Sequence, residues 1–299
     1  MTPEERYPHL TDEAAVMADQ DDGHRIAYIS RDRFISHQQA ESILDELEAL
    51  YKVEDAVRPQ GRLVVGRSLM GKSTLFDEFL RRHPADDNPD GDAAIIPIVS
   101  VQYPDTAKEG IYPEILASLN ARIPANTKAP ELRRATVELL RQVGMRVLLI
   151  DEIHNLLEGS ANSQRKGLNS IKYLMNELHR PVITAGTIEA LNAIRTDEQI
   201  SSRLTPLPLV RFKDDDAFQE LLQCFELMLP LRKPSYLGDP ELSSVIYQHT
   251  FGIVGRVAEV LNKAAIYAIR EGIECITAEM IEEHRWGVQD YKELKEQLS

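Results

Sequence analysis

The sequence predicts an α/β fold, a parallel sheet flanked by helices, with a small C-terminal helical lid, and three observations predict it. Short apolar runs alternate with helix-period segments through roughly residues 38–211. A glycine-rich loop ending in Lys72 joins the first apolar run to the helix that follows. Beyond Asp214-Asp215-Asp216 every periodic segment has helical spacing.

Taken in order, residues 1–35 lack sustained periodicity and include the acidic Asp19–Asp22 stretch, which predicts a loosely ordered N-terminal arm. Ile43, Leu44, Leu47, Leu50 and Tyr51 form the stripe of an amphipathic helix beginning near Gln38. Arg62–Val65 reads as a buried strand and Ser73–Arg82 as a helix. Ala94–Val101 reads as a strand, placed at an edge by Pro97, which cannot donate to a ladder. Helices are expected over Ile111–Arg122, Glu131–Val143 and Ser163–His179, and strands over Val147–Ile150, Pro181–Ala185 and Leu207–Val210. The lid should hold helices Asp216–Leu229, Pro240–His249, Val254–Arg270 and Ala278–His284, the last capped by Thr277. The expected parts are thus an arm over 1–35, an α/β nucleotide-binding domain over 36–211 and a helical lid over 212–299.

Composition narrows the function. A net charge of −14 argues against coating nucleic acid by bulk electrostatics. Because residues 1–60 carry 6 Lys/Arg against 14 Asp/Glu, the rest is less acidic and leaves room for local basic patches. No apolar run approaches the ~18 residues of a membrane span, so no membrane is expected. The polar, acidic start is unlike a secretion signal, and Cys224 and Cys275 lack metal-ligand spacing. A cytoplasmic protein with reduced thiols is the expectation.

Gly66-Arg67-Ser68-Leu69-Met70-Gly71-Lys72-Ser73 fits the phosphate-binding pattern G-x-x-x-x-G-K-[ST] in full. Its glycines let backbone N–H groups close on an anion at a helix N-terminus. Lys72 should reach the β- and γ-phosphates of ATP, and Ser73 should ligate Mg²⁺, with Thr74 completing the nucleotide-contacting run. Val147–Ile150 then delivers Asp151 and Glu152 to the C-terminal edge of a buried strand. Asp151 is the second candidate metal ligand, and Glu152 the group that orients and activates water. Paired carboxylates here favour hydrolysis over phosphoryl transfer to a small substrate.

Other candidates are weighed against plain structural roles. Arg203 precedes the last strand, where it would serve either as an arginine finger for a neighbouring subunit or as a surface residue. Arg256, opening a lid helix, is a candidate γ-phosphate sensor or a partner in a salt bridge. Thr184 and Thr187 flank Gly186 and offer hydroxyls near a strand end, Thr187 the weaker candidate. His154 has no second ligand at metal spacing and receives no role.

These motifs in this order, followed by a helical lid, resemble the AAA+ superfamily. Asp151-Glu152-Ile153-His154-Asn155-Leu156-Leu157, Leu168–Leu174, Ala185-Gly186-Thr187 and Arg195–Gln199 are similar to the TniB/TnsC family of transposition regulators, over roughly residues 35–270 and excluding the 1–35 arm. The resemblance implies an ATPase that oligomerises, as a ring or helical filament, on double-stranded DNA in the ATP state. It also implies a link between a target-selection protein and a DDE-type transposase. Lys108, Arg165 and Lys166 are candidate DNA-facing positions, with solvated surface charge as the alternative. Competing readings are a helicase-loader or initiator-type AAA+ ATPase and a protein-remodelling signalling ATPase. An initiator would carry a DNA-reading module after the lid, for which the sequence beyond Arg270 is expected to be too short.

Overall fold

The computed structural model describes residues 2–54, 56–91, 93–105, 110–124, 126–284 and 286. Two compact units divide the chain: Gln39–Ser68 with Lys72–Leu209, and Met1–Gln38 with Leu69–Gly71 and Val210–Ser299.

The N-terminal segment is not the loose arm expected from its sequence. Residues 1–35 hold three helices: α1 (Pro3–Arg6), α2 (Asp12–Ala18) and α3 (Asp22–Ile29). Each starts on a side-chain cap, from Thr2, Thr11 and Asp21 respectively. Thr2 and Glu5 complete a reciprocal capping box around Pro3. Tyr7, Leu10, Ala14, Ala15 and Ala18 bury one another in a small cluster. Helices this short gain little from propensity alone and need tertiary packing.

In the sheet unit, α4 (Gln38–Tyr51) leads to β1 (Gly61–Gly66) and α5 (Lys72–Arg82). Then come β2 (Ile98–Gln102), α6 (Tyr112–Ser118), α7 (Ala129–Gln142) and β3 (Val147–Asp151). A 3₁₀ turn (Ile153–Glu158), α8 (Ala161–Leu178), β4 (Val182–Gly186), α9 (Ile188–Arg195), α10 (Glu198–Ser201) and β5 (Leu204–Leu209) complete it. All five strands pair in parallel in the order β2-β3-β4-β1-β5. β3 and β4 are inner strands, buried along their whole length, which is why they read as unbroken apolar runs. Val147, Leu148, Leu149 and Ile150 are each fully buried, at about 1.5–3 kcal/mol per side chain, and this anchors the residue that follows them.

Both edges show proline at work. β2 is an edge strand but starts after Pro97, not at Ala94, because Ile95 bridges Asp86 in antiparallel fashion instead. At the other edge β5 begins at Leu204, earlier than the expected Leu207. Pro206 and Pro208 lie two residues apart, so their missing N–H groups fall on the same, unpaired side. α6 stops at Ser118, short of Arg122, where Asn120 takes a left-handed φ of 54°.

The other unit joins α1–α3 to α11 (Asp216–Glu226), α12 (Pro240–Thr250), α13 (Val254–Arg270) and α14 (Ala278–His284). Ile29 of α3 belongs to the core formed with Phe218, Leu222, Val260, Leu261 and Ala265. Arg25 is fully buried there. Its Nε donates to Pro230 O at 3.1 Å, its Nη1 donates to Glu274 Oε1 at 2.9 Å, and its Nη2 pairs with Glu274 Oε2. Arg232 adds a backbone N–H to the same carboxylate at 3.1 Å. Burial alone would raise the Glu274 carboxyl, but the Arg25 hydrogen bonds and the Arg232 N–H outweigh it and hold it below the usual carboxylate range. Cys224 and Cys275 are free thiols. No helix among the described residues is long and apolar enough to cross a membrane.

Candidate nucleotide site

β1 carries the chain to Gly66, and the loop that follows reaches α5 at Lys72. Inside it Leu69 and Gly71 take φ of 64° and 82°. A Cβ at Gly71 would meet nothing within 4 Å, so the backbone angle, not space, calls for glycine there. At Leu69 the same region costs roughly 1–2 kcal/mol.

Lys72 Nζ folds back onto the loop and donates to Gly66 O at 3.0 Å and Arg67 O at 2.9 Å. The residue is only 7% exposed. Burial pushes its ammonium down from the ordinary lysine range, while the Glu152 and Asp151 carboxylates pull it back up. One positive charge is thus held in a partly desolvated pocket facing two negative ones.

The end of β3 closes the site from the other side. Ser73 Oγ donates to Asp151 Oδ2 at 2.7 Å across 78 residues of sequence. Asp151 Oδ1 accepts the Glu152 N–H at 2.7 Å. A hydroxyl and one carboxylate in contact fit Mg²⁺, which keeps water and substrate phosphates as its remaining ligands.

Glu152 itself is strained. It takes φ 53° and ψ 36°, a left-handed conformation that a glutamate adopts at a cost of roughly 1–2 kcal/mol. The turn aims its side chain at the residue two places on, and Glu152 Oε2 lies 3.0 Å from His154 Nε2. His154 Nδ1 is buried without a hydrogen bond. No motif in the sequence assigns His154 a role. In an extended chain i and i+2 share a face without touching, and only the left-handed turn brings these two together.

The remaining candidates separate. Thr184 is fully buried in the middle of β4, level with Leu63 and Ile150, and its hydroxyl donates to Arg62 O at 3.4 Å. Thr187, not Thr184, sits past the strand's C-terminal end, at the start of α9. Arg203 precedes β5 and is level with the start of β1, since Gly61 pairs with Leu204 and Gly61 N–H donates to Arg203 O at 2.8 Å. The phosphate loop leaves the opposite end of β1. Six residues at ~3.3 Å each therefore separate Arg203 from the chain's own loop along the sheet. Its Nη1 donates to Asn176 Oδ1 at 2.6 Å, and its Nε is buried without a partner. Arg256 lies on the first turn of α13, in the lid's unit. Arg165 and Lys166 are exposed on α8, and Lys108 falls outside the described residues.

A model of the family described as Bacterial TniB protein matches residues 25–214. The match begins inside α3, so it takes in part of the N-terminal segment that lies outside the resemblance in sequence. No curated protein matches the chain in sequence. Among solved structures, Cdc6p from Pyrobaculum aerophilum shares 18% identity with a TM-score of 0.58, covering 86% of this chain and 69% of that one. The Aeropyrum pernix ORC1 protein, solved in complex with DNA, shares 17% identity with a TM-score of 0.57, covering 87% and 68%. A mutant form of RuvB from Thermotoga maritima shares 17% with a TM-score of 0.50, covering 84% and 69%. The fold is that of the AAA+ ATPases.

Proposed function

The chain belongs to the TniB family, and from that premise we propose an ATPase that regulates DNA transposition. It binds ATP, assembles with further copies of itself on double-stranded DNA as a ring or helical filament, and links a target-selection protein to a DDE-type transposase. The observation that carries the ATPase half is the meeting of Ser73 with Asp151 at 2.7 Å, beside Lys72 and Glu152.

In this reading Lys72 exchanges its two loop carbonyls for the β- and γ-phosphates. Ser73 and Asp151 hold Mg²⁺, which when bound neutralises charge developing on the phosphates. Glu152 leaves His154, orients the attacking water and accepts its proton. Arg256 senses the γ-phosphate. Arg203 acts on the nucleotide of a neighbouring subunit, a role supported by its position at the far end of β1 from the chain's own loop.

The transposition half rests on the family, and DNA engagement is also supported by a neighbour of the same fold solved on DNA. An initiator-type reading draws on the likeness to Cdc6p and ORC1.

The test is residence time on duplex DNA. Glu152→Gln keeps the size of the side chain but removes the base, so it should bind ATP, assemble on duplex and stay, while wild type leaves as ATP is consumed. ADP should support little assembly, and binding should weaken with salt as local Lys/Arg–phosphate pairs are screened. Equal residence in every nucleotide state would remove the switch. Absence of duplex binding at low salt with ATP would overturn the transposition reading in favour of protein remodelling.

A further inference from the structure

Among the described residues of the sheet unit, a cleft of about 590 Å³ opens between α8 on one side and α6 and α7 on the other. Lys166, Lys172, Tyr173 and Asn176 supply the α8 wall, and Tyr112 and Arg133 face them. Among the described residues, three cations line this cleft and no carboxylate does, in a chain whose net charge is −14.

Two of the cations are already positioned. Lys172 Nζ is held by Asp197 Oδ2 at 2.8 Å, with its side chain 18% exposed. The Arg133 guanidinium carbon lies 4.5 Å from the centroid of the Tyr173 ring, within cation–π reach. The Tyr112 hydroxyl, on a residue 3% exposed, has Ser170 and Arg133 within reach but makes no hydrogen bond of good geometry. A buried hydroxyl without a partner is an unmet donor, and burial pushes the phenol further from ionising. Positive charge, an unmet donor and amide-bearing walls all suit one chemical class.

We propose that this cleft is a phosphate-binding site separate from the phosphate loop. From Lys166 to Asn176 the α8 wall runs for ten residues, about 15 Å at ~1.5 Å each, long enough for several phosphates in a row. The phosphates come from a duplex-DNA backbone or from a free polyphosphate. Either source uses the same Arg133, Lys166, Lys172 and Tyr112 contacts, and the site stands whether or not the protein acts in transposition.

The test has one arm for each source. Duplex binding is measured by anisotropy on full-length Glu152→Gln with ATP. Pyrophosphate binding is measured by calorimetry in a Lys72→Ala background, which silences the phosphate loop. Into each goes the double substitution Arg133→Gln with Lys166→Gln, at two exposed positions. A duplex source predicts roughly tenfold weaker DNA binding and a salt slope smaller by about 2. A free-phosphate source predicts a comparable loss for pyrophosphate alone. Arg134→Gln with Lys263→Gln removes equal charge outside the cleft and should leave both affinities within about twofold. Tyr112→Phe should weaken the responding probe a few-fold, whereas a hydroxyl with no ligand would change nothing. If neither probe responds to the cleft substitutions, or the outside pair weakens binding as much, the site is refuted. Loss of pyrophosphate binding without any duplex binding keeps the cleft and discards the DNA reading.

Discussion

The sheet unit and the lid unit solve the same problem, fixing charged side chains in place, by opposite means. In the sheet unit the important groups are delivered by short contiguous motifs at strand ends, so that Lys72, Ser73, Asp151 and Glu152 meet wherever the strands pair correctly. In the lid unit the most buried charge, Arg25, is satisfied by Pro230 and Glu274, more than 200 residues away. The first kind of site is written locally, whereas the second exists only once distant parts of the chain have packed. Damage to the first should therefore change chemistry and spare stability, and damage to the second should do the reverse.

The largest break in that comparison comes from Arg203. If it works on a neighbour's nucleotide, Arg203→Ala should bind ATP almost normally and lose about 10³–10⁵ in hydrolysis rate, with little change in melting temperature. Mixing it with Lys72→Ala subunits should restore part of the activity, since one supplies the intact pocket and the other the intact finger. No recovery in assemblies shown to contain both would argue against action across subunits.

Next is Arg25→Ala. It leaves Glu274 buried without its main partner, and breaking such a pair costs about 3–5 kcal/mol. Denaturant unfolding should show this as a lower midpoint. An unchanged midpoint would mean that the α3–lid packing is not what holds residues 1–38 in place.

A pH titration sharpens the same point. The folded Glu274 carboxyl lies below its unfolded value, so its contribution is fully present above the ordinary glutamate range and is lost as pH falls through the folded value. Acid unfolding should accordingly be less steep in Glu274→Gln than in wild type. Identical acid limbs would remove this carboxylate from the account.

The smallest effect expected is at a cap. Thr11 Oγ1 accepts the Ala14 N–H at 3.3 Å, and Thr11→Ala should cost about 1 kcal/mol in global stability while leaving hydrolysis unchanged.

This contrast also explains what can be read from the sequence. The phosphate loop, the carboxylates after β3 and the alternation of strands and helices are all contiguous signals, and each is legible. The three N-terminal helices escape notice although Thr2, Glu5, Thr11 and Asp21 are helix-start residues. Runs of 4, 7 and 8 residues are too short to establish a helical period. The Glu152–His154 contact is invisible because it depends on a left-handed turn at a glutamate, which no residue preference announces. The early start of β5 is hidden by Pro206 and Pro208, which mark an interrupted strand unless the outer edge is known to be unpaired.

The Arg25–Glu274 pair also sets a timetable for synthesis. The two residues are 249 apart, and at ~5–20 residues per second the carboxylate is made roughly 12–50 s after the arginine. Over that interval the segments of β1 to β5 are completed in order and can pair as they emerge, while Arg25 has only the local Asp22 carboxylate at 3.2 Å and α3 lacks the α13 surface against which Ile29 packs. Helices made before the sheet unit are thus secured only after it. A nascent chain halted before residue 274 would present a formed sheet unit together with an α3 that lacks its Glu274 partner, and its uncovered Tyr28 and Ile29 are the kind of apolar surface that chaperones bind.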